Sequence, residues 1–239
     1  LHKEYRRQRQ MCIRDRNVID RETDLLRMME TQMQALPSND SKEKTLLEEW
    51  NLSITPVNNE KELRQIKRHM GHSADCFSKA FRVKNSNRDN AFWNYYDKHN
   101  YHKEDIHYWY HGSRNMNCLS ILHNGLILNP KAPKVGHMFG YGIYLAPKAK
   151  KSIGYTSLNG SFWVHGTSDT AYLFVMKTVY KSPYHVYTWT SGMKSLTKSR
   201  ISPHDAVFAH AGTSLRNDEV VIFDDAQVTL QYIIELKQQ

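Results

Sequence analysis

The chain has 239 residues, of which 40% are hydrophobic, 11% aromatic and 24% charged. This size suits one large domain, or one domain with a small attachment, and the apolar content is enough to form a substantial core. No stretch of 18 apolar residues occurs and the N-terminus is charged, so we expect no membrane partner, no membrane-spanning helix and no secretory signal.

Nearly half of the formal net charge of +9 lies in residues 1–16, which hold six basic and two acidic side chains. Such an arm could neutralise nucleic-acid phosphates, but a leader that is disordered or not native is the favoured interpretation. The three cysteines, Cys12, Cys76 and Cys118, form no Cys-x-x-Cys pair. We therefore expect no structural zinc site, no other metal, and a reducing, intracellular compartment.

The first predicted element is a helix over residues 20–36. Its apolar side chains from Leu25 to Leu36 recur at spacings of four, four and three, and Pro37 follows them. A methionine-rich stripe of this kind is typical of a packing surface.

The remainder of the chain is predicted to form short strands with few helices between them. In chain order, strands are expected at residues 52–57, 77–83, 108–110, 143–145, 171–180, 206–210, 219–223 and 228–236. Helices are expected at residues 60–70, 91–96, 117–124 and 149–155. The last strand shows strict alternation of apolar side chains from Val228 to Leu236. This pattern favours an α+β fold built on antiparallel sheets.

The run His111-Gly112-Ser113-Arg114 follows one of these predicted strands. Glycine after histidine lets a ligand approach bare backbone, whose N–H and C=O groups can pair with a planar amide. The imidazole can donate a hydrogen bond to a sugar hydroxyl. By itself, however, a histidine at a strand end is more often structural.

The run Gly136-His137-Met138-Phe139-Gly140-Tyr141-Gly142-Ile143-Tyr144 places three glycines in seven positions ahead of a strand. This composition predicts a tight loop under a ligand, although a hairpin with glycine bends explains it equally well. The spacing differs from the dinucleotide-binding fingerprint, in which a helix follows the glycines.

Two further segments carry polar groups beside apolar runs. Ser152 and Tyr155 share a face of the helix predicted at residues 149–155, where a hydroxyl beside an aromatic ring suits an aromatic amide. Glu219 begins a strongly β-forming run, and a carboxylate there is costly to bury unless it is paired or functional. The alternatives are a core-facing tyrosine with an incidental serine, and an acidic turn ahead of a strand.

These segments occur in an order that resembles the catalytic domain of the poly(ADP-ribose) polymerases. The likeness runs from about residue 50 to the C-terminus. It implies two packed, mainly antiparallel β-sheets with short flanking helices, as in ADP-ribosyltransferases, together with an N-terminal helix. It also implies an enzyme that cleaves its substrate NAD⁺ to nicotinamide and transfers ADP-ribose to an acceptor protein or to itself.

The resemblance assigns roles to single residues. It implies a catalytic trio of Glu219, His111 and Tyr144, in which the carboxylate bonds the 2′-hydroxyl of the nicotinamide ribose. The implied NAD-binding set comprises Gly112, Ser113, Asn117, Lys151, Ser152 and Tyr155.

Within this set, the Gly112 backbone and Ser152 would hold the nicotinamide carboxamide, while Tyr155 and Tyr144 would sandwich the ring. The adenosine ribose would be bonded by His111, with Ser113 and Asn117 near that end of NAD.

The predicted organisation has three parts: a basic leader at residues 1–16, a helical segment at 17–45 and the catalytic domain at 46–239. The helical segment resembles the end of the regulatory helical domain of nuclear family members, and the chain is then either a truncated product or a compact enzyme. Activity is expected to be constitutive, with DNA as a partner only through upstream domains. The expected location is nuclear in a eukaryote and cytoplasmic for a bacterial or viral protein.

Departures from the family pattern put chain elongation in doubt. Tyr141 stands where polymerising members often carry lysine, Ile127 replaces an arginine common near the adenosine site, and the segment from Tyr180 to Asn217 is short. Transfer of single ADP-ribose units is therefore a rival prediction. A second is a non-catalytic NAD- or ADP-ribose-binding module, although such modules commonly lack the glutamate, and a third is a nucleic-acid-binding domain.

Overall fold

Short helices alternate with strands along the part of the chain that the computed structural model describes, residues 44–128 and 138–238. The leader at residues 1–16 and the helical segment at 17–45, apart from Lys44 and Thr45, lie outside these ranges. Gly136 and His137 of the glycine-rich run also lie outside them.

The strands are β1 (Leu52–Pro56), β2 (Phe77–Asn85), β3 (Ile106–Gly112), β4 (Ile143–Leu145), β5 (Thr170–Val179), β6 (Pro183–Val186), β7 (Ala206–Ala209), β8 (Glu219–Ile222) and β9 (Val228–Lys237). The α-helices are α1 (Leu46–Glu49), α2 (Glu60–Met70), α3 (Ser86–Lys98), α4 (Cys118–Asn124) and α5 (Ala149–Ile153). Among these described helices, none has the length and hydropathy that a membrane crossing requires.

The strands form two sheets. The five-stranded sheet has the order β1-β2-β9-β5-β3, and every neighbouring pair in it is antiparallel. The four-stranded sheet has the order β4-β8-β7-β6, in which β6 and β7 run parallel and the other pairs antiparallel. The predicted α+β architecture of two mainly antiparallel sheets is confirmed.

The main hydrophobic core lies between the sheets. Phe174 and Met176 of β5 belong to one packed cluster with Val220 and Ile222 of β8, and all four side chains are fully buried. Burying a large apolar side chain contributes roughly 1.5–3 kcal/mol to stability. The shared core therefore fixes the sheets against each other, and with them the ends of β3, β4 and β8.

Helix α3 is longer than the helix predicted at residues 91–96, because Asn85 caps it earlier. The Asn85 carboxamide oxygen accepts the Arg88 backbone N–H at 3.1 Å. Its nitrogen donates to the carbonyls of Leu122 and His123 at 2.8 and 3.0 Å. One nearly fully buried asparagine thus joins the end of β2, the start of α3 and the end of α4.

Strand β6 was not predicted. It is a four-residue edge strand that opens with Pro183, and proline is tolerated at the first residue of a strand. With two of its four residues exposed, it lacks the alternating apolar pattern that marks longer strands. The helix predicted at residues 149–155 ends earlier, at Ile153, so Tyr155 lies in the turn that follows.

Replacement of Asp205 with alanine is expected to lower the free energy of unfolding by about 1–3 kcal/mol. Its carboxylate accepts the backbone N–H groups of Lys181 and Ser182 and the hydroxyl of buried Tyr101, all at 2.9 Å. Urea titration would measure the loss, with Asp169→Ala on the exposed surface as the control. Equal stability of the two variants would contradict this account of the turn between β5 and β6.

Candidate active site

The site begins where the two sheets meet. An antiparallel bridge joins Tyr110 of β3 to Ala146, which follows β4, through two backbone hydrogen bonds of 2.8 and 2.9 Å. Next to this bridge, the His111 Nδ1 lies 3.0 Å from the carbonyl oxygen of Tyr144. Two residues predicted from segments 33 positions apart are therefore in direct contact.

The partner of His111 determines its tautomer. A carbonyl oxygen can only accept, so Nδ1 carries the proton and donates it to Tyr144. Burial lowers the pKa of His111 below its usual value, although the bond to the Tyr144 carbonyl opposes that shift. The neutral ring therefore presents Nε2 as a hydrogen-bond acceptor.

Gly112 is required by packing. A Cβ at this position would lie 1.7 Å from the backbone oxygen of Ser152, so the end of β3 and helix α5 touch backbone to backbone. From the sequence, the glycine was expected to let a ligand approach, whereas in the structure its side-chain position is filled by the Ser152 carbonyl. The contact places Gly112 and Ser152, two of the predicted site residues, next to each other.

The loop after β3 is held by side-chain amides. Asn117 donates from Nδ2 to the Ser113 hydroxyl at 2.9 Å, so these two predicted residues are neighbours. The Asn115 backbone N–H donates to the Ser157 hydroxyl at 2.9 Å, and its Nδ2 donates to the Thr170 carbonyl at 2.9 Å. The start of the loop is thereby fastened to the segment that follows α5.

The Tyr144 hydroxyl is fixed by the glycine-rich turn. It accepts the Phe139 backbone N–H at 2.9 Å and donates to the Gly140 carbonyl at 2.8 Å. Gly140 has φ +83, and a Cβ there would lie 2.0 Å from the Leu196 carbonyl oxygen, so only glycine fits. Burial and then the charge of Glu219 raise the pKa of Tyr144, which stays a neutral phenol.

Lys151 and Glu219 form a buried ion pair that links α5 to the first residue of β8. The Lys151 Nζ contacts the Glu219 Oε1, and each side chain is only 11% exposed. Burial lowers the pKa of Lys151, while the Glu219 carboxylate opposes this shift. Lys151 was predicted to belong to the NAD-binding set, and its pairing with Glu219, 68 positions away, was not predicted.

Tyr155 stands close to the same carboxylate. Burial, and after it the charge of Glu219, raises the pKa of Tyr155 to about 12. Its backbone N–H bonds the Ser152 carbonyl at 3.0 Å, and this three-residue turn keeps both residues on one side although α5 has ended. The ring stacks on Trp163 with centroids 5.8 Å apart.

The nine predicted site residues thus form one connected group at the junction of the sheets. Sequence reasoning missed Trp163, whose only local signal was the pair Phe162-Trp163 in a polar, glycine-containing stretch. Tyr141 is largely exposed, and so, to a lesser degree, is Ile127. Within the two described ranges, no three His, Cys, Asp or Glu side chains are placed so that they could hold a metal ion.

Comparison with known proteins gives one family. The model of the poly(ADP-ribose) polymerase catalytic domain matches residues 60–238. Poly [ADP-ribose] polymerase of Drosophila melanogaster is 31% identical over 147 residues, which is 54% of this chain and 15% of that protein. Poly [ADP-ribose] polymerase 2 of Arabidopsis thaliana is 25% identical over 225 residues, 80% of this chain and 34% of that protein.

A short segment is more similar to a human protein. Poly [ADP-ribose] polymerase 2 of Homo sapiens is 47% identical over 57 residues, 22% of this chain and 10% of that protein. The matches therefore cover between 10% and 34% of the length of these three relatives.

Replacing Gly112 with alanine is expected to push β3 away from α5. The overlap with the Ser152 carbonyl should cost at least about 2 kcal/mol of unfolding free energy, because backbone atoms on both sides must move. Differential scanning calorimetry would record the loss. Gly192→Ala, where no atom lies within 4 Å of the added methyl group, is the matched control. An unchanged melting temperature for Gly112→Ala would refute the close approach.

His111 should make the protein less stable in mild acid. Its folded-state pKa is lowered, so below about pH 6.5 the unfolded chain takes up a proton that the folded chain does not. The free energy of unfolding should therefore fall as pH decreases below 6.5, and His111→Gln should show a shallower fall. Denaturant titrations from pH 7.5 to 5.0 test the slope, with exposed His69→Gln as the control. Parallel curves for wild type and His111→Gln would exclude this contribution.

Proposed function

Because this chain belongs to the family of poly(ADP-ribose) polymerase catalytic domains, we propose that it is an NAD⁺-dependent protein ADP-ribosyltransferase. It cleaves NAD⁺ to nicotinamide and transfers ADP-ribose to a protein acceptor or to its own polypeptide. The reaction runs inside the cell, in the nucleus if the source is a eukaryote and in the cytoplasm if it is bacterial or viral.

The observation that carries this proposal is the buried carboxylate of Glu219, which lies at the junction of the two sheets, where a substrate can be held. Glu219 is 9% exposed, is paired with Lys151, and raises the pKa of both Tyr144 and Tyr155. The charge therefore acts on two aromatic hydroxyls. Its partner Lys151 belongs to α5, the helix whose Ser152 carbonyl lies against Gly112.

Binding of the nicotinamide half follows from these positions. The Gly112 backbone and the Ser152 hydroxyl pair with the carboxamide, and the ring stacks between Tyr144 and Tyr155. Since the Tyr144 phenol is held by its two backbone partners, this wall is rigid before substrate arrives.

The adenosine half is oriented by His111. From the sequence, the imidazole was expected to donate a hydrogen bond to a ribose hydroxyl. With Nδ1–H already donated to Tyr144, the neutral ring instead accepts a hydrogen bond from that hydroxyl at Nε2. Ser113 and Asn117, which bond each other, flank this end.

Cleavage leaves positive character on the nicotinamide ribose as the bond to nicotinamide breaks. A carboxylate that bonds the 2′-hydroxyl favours this oxocarbenium-like state, as in glycoside cleavage. Lys151 engages Oε1 of Glu219, so Oε2 is the oxygen offered to the hydroxyl. The charge acts where positive charge develops, so it stabilises the transition state more than the substrate. The same carboxylate can then orient an acceptor hydroxyl or take its proton.

Transfer of single units is the second form of the proposal. The exposed aromatic ring of Tyr141 stands where polymerising relatives often carry lysine, which removes a cation from the acceptor side. Elongation to poly(ADP-ribose) is therefore an outcome to be measured, and the glutamate alone permits either product.

Replacing Glu219 with glutamine should reduce nicotinamide release from NAD⁺ by roughly 10²–10³-fold, because shape is kept and the negative charge is lost. Incubation with labelled NAD⁺ followed by a denaturing gel gives the rate of automodification and the product length together. Exposed Glu104→Gln is the matched control. Near-normal automodification by Glu219→Gln would sink the assignment, and a wild type that binds but never cleaves NAD⁺ would favour a binding module.

Loss of folding must be separated from loss of chemistry in that experiment. Glu219→Gln leaves the buried Lys151 ammonium without its counter-charge, and breaking a buried pair can cost about 3–5 kcal/mol. The double variant Lys151→Met/Glu219→Gln removes both charges and should recover stability while remaining inactive. If the double variant regained activity, the role of the Glu219 charge would be disproved.

A further inference from the structure

A loop of residues 157–168 projects two large aromatic side chains beside the candidate site. Phe162 is 57% exposed and Trp163 is 48% exposed. These two rings are adjacent to each other, Trp163 also stacks on Tyr155, and loops beside a site often carry its binding and positioning residues. We call this segment the aromatic loop.

The aromatic loop is internally braced. The Ser168 N–H bonds the Ser157 carbonyl at 2.9 Å, and the Asn159 N–H bonds the Ser168 carbonyl at 2.8 Å. Nearer the tip, the Gly166 N–H bonds the Ser161 hydroxyl at 2.8 Å. These bonds close the loop at its base and tip, so the two rings are presented by fixed backbone.

Trp163 forms a backing for the stacking tyrosine. Its ring lies 5.8 Å from that of Tyr155 with planes inclined by 19°, an offset parallel arrangement. Its backbone N–H donates to the Gly154 carbonyl at 2.9 Å, and a Cβ on Gly154 would lie 2.9 Å from Trp163 Cδ1. The indole therefore packs directly against Gly154.

Phe162 connects Trp163 to the segment that leads into β8. Its ring stands edge-on to Trp163 at 4.7 Å, with planes at 88°. The Arg216 guanidinium lies over Phe162, 5.5 Å from the ring centroid. Arg216 belongs to the segment that leads into β8, three positions before Glu219.

We propose that the aromatic loop is a clasp that sets the spacing between the nicotinamide-stacking wall and the reacting carboxylate. Trp163 is a positioning residue for Tyr155, and the Phe162–Arg216 contact positions the lead-in to Glu219. This inference rests on the proposed function, because the wall it braces is the wall that receives nicotinamide. None of the three clasp residues bonds the reacting atoms, so each acts through another residue.

The Trp163 part of the clasp is tested by binding of benzamide, an aromatic carboxamide that mimics nicotinamide. Trp163→Leu should weaken benzamide binding roughly three- to tenfold in calorimetric titrations, which corresponds to the loss of one aromatic pair. KM for NAD⁺ should rise by a similar factor while kcat changes little, because stacking acts on bound substrate and transition state alike. Trp163→Phe, which keeps a ring, should bind close to wild type.

Trp93→Leu is the matched control, since Trp93 is 41% exposed and lies on α3, outside the candidate site. It should leave benzamide binding and both kinetic constants unchanged. Unchanged binding and KM in Trp163→Leu would overturn the proposal. So would a loss that is explained entirely by a lowered melting temperature, or one that Trp163→Phe fails to restore.

The Phe162–Arg216 contact predicts the opposite effect on the kinetic constants, in which kcat changes and binding does not. Arg216→Gln should lower kcat about two- to fivefold, the size of an exposed cation–π contact, with benzamide affinity unchanged. Phe162→Leu should behave in the same way for kcat, and the double variant should lose no more than either single variant. If the two losses in kcat were fully additive, the side chains would act independently, and this part of the clasp would be rejected.

Failure of this inference differs from failure of the proposed function. If the clasp is wrong but the proposed function is right, wild type and the Trp163, Phe162 and Arg216 variants release nicotinamide with the same KM and kcat. If the proposed function is wrong, wild type itself releases none, and both proposals fall together.

Discussion

The arrangement of the site depends on one buried ion pair, between Lys151 of α5 and Glu219 of β8. A carboxylate taken out of water is costly unless an opposite charge accompanies it. Lys151 supplies that charge, and it does so from the helix whose Ser152 carbonyl lies against Gly112. The pair therefore ties the four-stranded sheet to the element that also contacts the five-stranded sheet. Displacing the helix would move Ser152 and the adjoining Tyr155 and uncover the carboxylate at once.

The geometry that permits this pair comes from backbone contacts. Gly112 lets β3 approach α5 without an intervening side chain, and Gly140 lets the turn before β4 pass under the Leu196 carbonyl. The second contact fixes the turn whose backbone holds the Tyr144 hydroxyl. Each glycine is thus required by van der Waals distance, one where β3 meets α5 and the other at the turn before β4.

Periodicity and local chemistry were sufficient to predict the helices and strands whose sequence signal lies within one segment. Helix α2 was predicted with its observed bounds, because its apolar face is regular and Asn59 caps it. Strand β9 was predicted from its alternation. Helix α3 was predicted too short because its cap, Asn85, is fixed by carbonyls at the end of α4, 37 and 38 positions away. Strand β6 has too few buried residues to show a period.

The candidate site, too, could be predicted from the sequence only in part. The order of motifs was enough to bring His111, Gly112, Tyr144, Ser152 and Glu219 together as a hypothesis, and the fold joins them. The sequence could not reveal that Lys151 would turn toward Glu219, since nothing local records a contact across 68 positions. Nor could it show that the proton on His111 lies at Nδ1, because that follows from a carbonyl 33 positions away.

A purely structural role for the Lys151–Glu219 pair is the weaker explanation on physical grounds. Replacing a buried ion pair with apolar residues of similar volume is often neutral or stabilising, so such a pair is a poor means of gaining stability. Here the carboxylate belongs to the first residue of β8, at the junction of the two sheets. Lys151 contacts one of its oxygens, and its charge raises the pKa of two tyrosines. A binding module that only recognised NAD⁺ would gain little from a negative charge beside a substrate that already carries two phosphates. The proposed transfer reaction would gain from it, because there the charge would act where positive character develops on the ribose.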